Sequence, residues 1–215
     1  MASRSQVLAL EFAHHLPYTI ISSLIAMGVV WMWGSAQLPS QSAAGWTAQG
    51  QWSFHILHPL HICLSAIATT SVFWRYERKL VKALLVGFVG TLIPCGLSDY
   101  VFPFIGGRML GQRMALHICL VDHPMVILPF LLLGMLGGLL FEERFAGSSV
   151  FSHAAHVFVS SLASLLYLVS FGFTGWLADT QLVFPVFLVV VIAVWIPCCL
   201  SDIAVPIGVV HHEST

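Results

Sequence analysis

Ile93-Pro94-Cys95-Gly96-Leu97-Ser98-Asp99, running on to Pro103, returns as Ile196-Pro197-Cys198-Cys199-Leu200-Ser201-Asp202, running on to Pro206. The offset is 103 residues (196 − 93), and seven of the eleven positions from Ile to Pro are identical. A match of that length inside one chain of 215 residues is the mark of an internal repeat, and the rest of the sequence is read outward from it.

Working backward from each copy, the same order of elements reappears. Glu11-x-x-His14-His15 lines up with Cys119-x-x-Asp122-His123, and the histidine pair His55-x-x-His58, within His55-x-x-His58-Pro59-Leu60-His61, with His153-x-x-His156. Residues 1–108 and 109–215 thus form two repeats of a single integral membrane domain. Each repeat carries an acid or thiol with histidine, then a histidine pair, then PCxLSDxxxP.

Composition sets the medium. Hydrophobic residues make up 58% of the chain and charged residues 8%, against roughly a quarter charged in a water-soluble domain, so this chain belongs in a bilayer. Eight Lys and Arg against nine Asp and Glu leave no basic field to track phosphates, which excludes a nucleic-acid partner. Cys63, Cys95, Cys119, Cys198 and Cys199 all lie in apolar stretches, which excludes a disulfide scaffold. GxSxG, GxxxxGK[ST] and GxGxxG are all missing, and the vicinal Cys198-Cys199 is a poor redox motif beside CxxC.

A ruler of about 20 apolar residues per crossing gives six spans, at about 8–33, 53–74, 82–105, 114–141, 151–175 and 182–209. The first reads as a permanent helix rather than a cleaved leader. The fold expected is therefore an all-α membrane protein of six transmembrane helices. Three spans per repeat is an odd number, so the second copy enters from the opposite face and the two repeats are inverted. Residues 34–52 are uncharged and suit an external loop, whereas Arg4, Arg75, Arg78, Lys79, Lys82 and Arg144 fall on one side against Arg108 and Arg113 on the other. Both termini are then cytoplasmic, in an inner or plasma membrane, with the tail HHEST (His211 and His212 included) solvated and disordered.

Polar side chains in lipid are costly, and eleven histidines outnumber the lysines and arginines together. The topology predicts an outer cluster of His55, His58, His61, Cys95, Asp99, His117, Asp122 and His123. It predicts an inner cluster of Glu11, His14, His15, His153, His156, Cys198 and Asp202. Asp99 and Asp202 are the expected anchors, because an unpaired buried carboxylate costs too much to keep for packing. Pro103 and Pro206 lack the N–H that would bond the carbonyls of Asp99 and Asp202 four residues back, which is expected to free those oxygens for a cation. Cys95 and Cys198 read more simply as small packing residues. Imidazole with carboxylate suits Zn, Mn, Fe, Co or Ni rather than Ca or Mg.

In HHLP, HILHPLH, DHP and IPCGLSD/IPCCLSD the chain resembles small heavy-metal permeases and exporters, over the ligand-bearing helices and without their His-rich loop or soluble domain. The expected function is a permease for a divalent transition-metal cation, proton-coupled through histidine. Two alternatives stand beside it: a b-type dihaem electron carrier resembling the cytochrome b561 class, with haem b between paired histidines, and a membrane di-metal oxidoreductase. Gly134, Gly137 and Gly138 offer a small face on which a homodimer could pack.

Overall fold

The computed structural model describes residues 4–37, 43–140 and 149–210. The side chains of Arg4, Glu11 and His153, residues 141–148 with Arg144, and residues 211–215 lie outside the described residues. Every regular element among the described residues is helical. They are α1 (Arg4–Gln37), α2 (Ala43–Tyr76), α3 (Leu80–Gly96), α4 (Phe102–Met109), α5 (Cys119–Asp122), α6 (Pro124–Leu140), α7 (Ser149–Ser170), α8 (Thr180–Cys199) and α9 (Val205–Gly208).

Helices α3 and α4 are one rod interrupted by a π-helical turn at Leu97–Val101, and α8 and α9 are another, interrupted at Leu200–Ala204. The two interruptions stand the same 103 residues apart as the sequence motif (200 − 97), so the repeat is one of local geometry as well as of letters. Proline is the cause. Phe102 N–H bonds back to Leu97 O, and in that register the next donor would be Pro103 to Ser98 O, which proline cannot supply. The carbonyl exposed by the register is therefore that of Ser98, and by the same arithmetic Ser201, one residue before the aspartates expected from a plain helix. Each is capped by a hydroxyl from the opposite half of the chain: Ser164 Oγ donates to Ser98 O at 2.9 Å, and Thr69 Oγ1 to Ser201 O at 3.1 Å.

Helix α2 is the hub, packing on α3, α6 and α7, while α7 packs on α1 and α8. The glycines of α6 serve this internal packing. A Cβ at Gly134 would stand 2.4 Å from Cys63 O, and one at Gly138 would stand 2.8 Å from Ile67 O, both on α2. The small face expected to pack a second copy is thus used within the chain.

Three spans differ from expectation at their ends. Residues 43–52, expected in a loop, form the first turns of α2, a stretch with no proline to stop them. Span four was expected from 114, but residues 112–118 run as a non-helical strap, pinned by Ala115 N–H to Phe171 O at 2.9 Å; α6 begins only at Pro124, because a residue before proline avoids the helical region. Span five stops at Ser170 rather than 175. Gly172 takes φ +123° there, and a Cβ on it would meet Arg113 O of the strap at 2.4 Å.

Four helices are long and apolar enough to cross a membrane: Phe12–Gly34, Thr47–Tyr76, Leu80–Met109 and Thr180–Gly208. Pro124–Leu140 and Ala154–Ser170 are shorter apolar helices, each about 25 Å long at 1.5 Å per residue. The distribution of polarity is inverted relative to a soluble protein. Ile21, Leu24, Leu85, Leu133, Leu140 and Phe184 face outward, whereas His58, His61, Ser65, Thr69, Ser98, Asp99, His156, Ser160, Ser164, Ser201 and Asp202 are buried. An apolar exterior wrapped around a polar centre is what a lipid solvent selects, and the chain is a membrane protein.

Candidate metal centre

The repeated π-turns deliver their aspartates to the middle of the bundle, where α2 and α7 face one another. Asp99 is fully buried, and all of its acceptor capacity is in use. Oδ2 accepts Nδ1–H from His58 at 2.8 Å and from His61 at 2.7 Å, and Oδ1 accepts the hydroxyls of Ser98 at 2.6 Å and Ser160 at 3.1 Å. In the second half, Asp202 Oδ2 accepts Nδ1–H from His156 at 2.8 Å. The two halves meet at His61 Nε2 and His156 Nε2, 2.7 Å apart.

That contact has a definite electrostatic meaning. A carboxylate only accepts, so each Nδ1 carries its ring's proton, and a neutral imidazole has one proton to place. Both Nε2 atoms then present lone pairs to each other across 2.7 Å. Two facing lone pairs repel unless a cation stands between them, either a proton or a metal ion.

Sulfur stands beside this pair. Cys95 Sγ and Cys198 Sγ each lie 3.9 Å from His61 Nε2, and the ligand atoms of His61, His156 and Cys198 all fall within 4.8 Å of one another. In a tetrahedral site with metal–N of about 2.0–2.1 Å and metal–S of about 2.3 Å, N···N is about 3.3 Å and N···S about 3.6 Å. The rings need to part by roughly 0.6 Å and the thiols to close by roughly 0.3 Å, well within side-chain adjustment. Imidazoles whose second nitrogen is held by a carboxylate are the usual form of metal-bound histidine. His58, His61 and Asp99 form another convergent group, but one whose carboxylate already holds four partners.

Helices α2 and α7 carry matching polar stripes. His61, Ser65 and Thr69 on α2 correspond to His156, Ser160 and Ser164 on α7, each pair 95 residues apart (156 − 61). Ser65 Oγ meets Ser201 Oγ at 2.6 Å and Ser160 Oγ meets Ser98 Oγ at 3.3 Å, so each half reaches into the π-turn of the other. The histidine pair matching His153-x-x-His156 is therefore His58-x-x-His61, three residues beyond the pair aligned from sequence.

The remaining sequence candidates fall in two places. His55, His117, Asp122 and His123 gather about three turns into α2 from its first residue, with His55 Nε2 3.1 Å from His117 Nε2 and His117 Nδ1 2.7 Å from Asp122 Oδ2. His123, expected at Asp99, instead sets its ring centroid 4.8 Å from that of His55. Burial pushes the His117 imidazole below its ordinary value, against the pull of Asp122. On α1, His14 is exposed and His15 half-buried, and neither belongs to a described group of convergent ligand atoms. The outer and inner clusters expected in separate halves of the membrane are instead joined through the His61–His156 contact.

Sequence reasoning passed over Ser65, Thr69, Ser98, Ser160, Ser164 and Ser201. The stripe His-x3-Ser-x3-Ser/Thr, which sets one helix face at i, i+4, i+8, was the available signal. No family model, characterised protein or solved structure matches this chain.

Proposed function

We propose that the protein is a membrane permease for a divalent transition-metal cation, bound at the centre of the bundle by His61, His156 and Cys198 with Cys95 alongside. One observation carries the reading: two identically broken helices each hold a histidine by its Nδ1, which turns the two Nε2 atoms face to face beside two thiols. Broken helices paired around a buried ion site are how membrane transporters hold cations away from both aqueous faces. Zn, Co, Fe and Ni suit imidazole with thiolate, and Mn suits it less.

In this reading Asp99 and Asp202 orient and polarise the ligands instead of binding the ion. The two shorter apolar helices complete six crossings, and the halves are related by an axis in the membrane plane with both termini cytoplasmic. Ligands of this kind lose a proton when they bind metal, which supplies a route to proton coupling. A single ion suits the 2.7 Å contact better than haem b does, because cysteine and serine side chains line the place where a macrocycle would pass. The di-metal oxidoreductase keeps one observation in its favour: the histidine pairs of the two halves lie together, not apart.

Zinc uptake into proteoliposomes tests the proposal. Wild type is expected to accumulate Zn2+, and His61→Ala and Cys198→Ser to abolish uptake while the protein stays folded. Bound metal without flux, joined to metal-dependent substrate oxidation, would transfer the chain to the oxidoreductase class.

A further inference from the structure

The cluster around His55, in the N-terminal half of α2, repeats the arrangement of the centre with different residues. His55 Nδ1 lies 2.6 Å from Gln51 O, and a carbonyl only accepts, so the proton of that ring is on Nδ1 and Nε2 is bare. His117 Nδ1 is held by Asp122 Oδ2 at 2.7 Å, which bares its Nε2 in the same way. The two bare nitrogens face each other at 3.1 Å. Cys119, 1% exposed, completes a group whose ligand atoms all lie within 4.8 Å of one another. Histidine, histidine and thiol are thus brought together a second time, again with facing lone pairs that need a cation between them.

Rigid supports hold this group in place. His117 stacks on Phe171 with centroids 4.8 Å apart and planes at 12°, and its backbone N–H donates to Tyr167 Oη at 3.1 Å. The strap that carries it is anchored by Ala115 N–H to Phe171 O, and Tyr167 Oη donates to Ala115 O at 3.2 Å. Asp122 is fixed in turn by Ile118 N–H at 3.3 Å. Unlike the centre, the group reaches the surface of the bundle: His117 is 16% exposed and the neighbouring His123 is exposed. Six residues of α2 separate His55 from His61, about 9 Å along the axis, with His58 one turn in from His55.

We propose that His55, His117 and Cys119, with His123 at their rim, form a second metal site at one mouth of the protein, which captures a divalent transition-metal ion before it reaches the centre. The proposal rests on the permease reading for its direction of use, but its occupancy is independent of it. Asp122 positions His117, and Gln51 O positions His55, as Asp99 and Asp202 position the central pair.

The full-length protein in detergent, with Zn2+ and Co2+ as the probes, tests it. Wild type is expected to bind two equivalents of Zn2+. Cys119→Ser with His117→Ala should lower this to one, and Cys198→Ser with His61→Ala should lower it to the other one. Co2+ should give thiolate charge-transfer absorption in both double variants, each from its own cysteine. Because a double variant can fail to fold, protection of wild-type His55 and His117 from diethyl pyrocarbonate is measured by mass spectrometry as well, with and without Zn2+. Protection that survives in Cys198→Ser supports the mouth site. Equal modification with and without Zn2+, or two equivalents retained in the Cys119→Ser/His117→Ala variant, overturns it. Loss of no equivalent in the central variant would instead overturn the central reading and leave the mouth site standing.

Discussion

Asp99→Asn separates a ligand from the group that orients ligands. The carboxylate accepts two Nδ1–H groups at 2.7 and 2.8 Å and two hydroxyls at 2.6 and 3.1 Å, with no exposure to water. Asparagine keeps the shape and one acceptor oxygen, which can serve the imidazoles, while Ser98 and Ser160 turn their hydroxyls to accept from the amide. What is lost is charge. A hydrogen bond to a charged group contributes about 1.5–3 kcal/mol and a neutral one about 0.5–1.5, so each imidazole bond weakens by roughly 1 kcal/mol. His61 also becomes a poorer donor of electrons to the metal. The expected outcome is a 10- to 100-fold loss of Zn2+ affinity, the size seen when a group behind a metal ligand is removed, which is about 1.4–2.8 kcal/mol. Zn2+ titration against a competing chelator in detergent measures it, with thermal unfolding run alongside to verify the fold. A change of less than threefold in a folded variant would show that Asp99 does not orient the site. A loss as complete as that of His61→Ala would make Asp99 a ligand itself.

Asp202→Asn should lower Zn2+ affinity by a similar factor, since it holds His156 as Asp99 holds His61; an effect confined to one aspartate would argue against equivalent halves. Ser164→Ala and Thr69→Val each strip the hydroxyl cap from a buried carbonyl opened by a π-turn, and each should cost about 1–3 kcal/mol in thermal or denaturant unfolding; a change within error would mean that another donor reaches that carbonyl. Gly134→Val drives a side chain into Cys63 O and the methyl of Ala66 and should destabilise α2 against α6 by at least about 1–3 kcal/mol, whereas Gly28→Ala, with nothing within 4 Å of its Cβ, should leave the melting temperature unchanged or higher. Uptake that persists in proteoliposomes of Cys198→Ser would remove the thiol from the proposed route.

Hydropathy and the PCxLSDxxxP repeat were properties of single segments, and single segments are what a sequence displays. The membrane medium follows from 58% hydrophobic and 8% charged residues. Placing the breaks at residues 97–101 and 200–204 follows from prolines three residues before and two residues after each, whose missing N–H groups act within one turn. Asp99, Asp202, His58, His61 and His156 stood out for a similar reason, since a polar group in an apolar run is visible without knowing its neighbours. Which of them meet was a different kind of question. The pairing of α2 with α7 is set by hydroxyls that cross between the halves, Ser164 to Ser98 O and Thr69 to Ser201 O, and by glycines that let α6 close on α2. Those contacts fixed an offset of 95 in place of the 98 that aligned the histidine pairs by spelling, and so put His61 against His156. They also moved the sulfurs of Cys95 and Cys198 from packing positions to the edge of the site and filled Asp99's acceptors with imidazole and serine. Local chemistry selects which side chains are worth burying; only the packing of helices far apart in the chain decides which lone pairs end up facing each other.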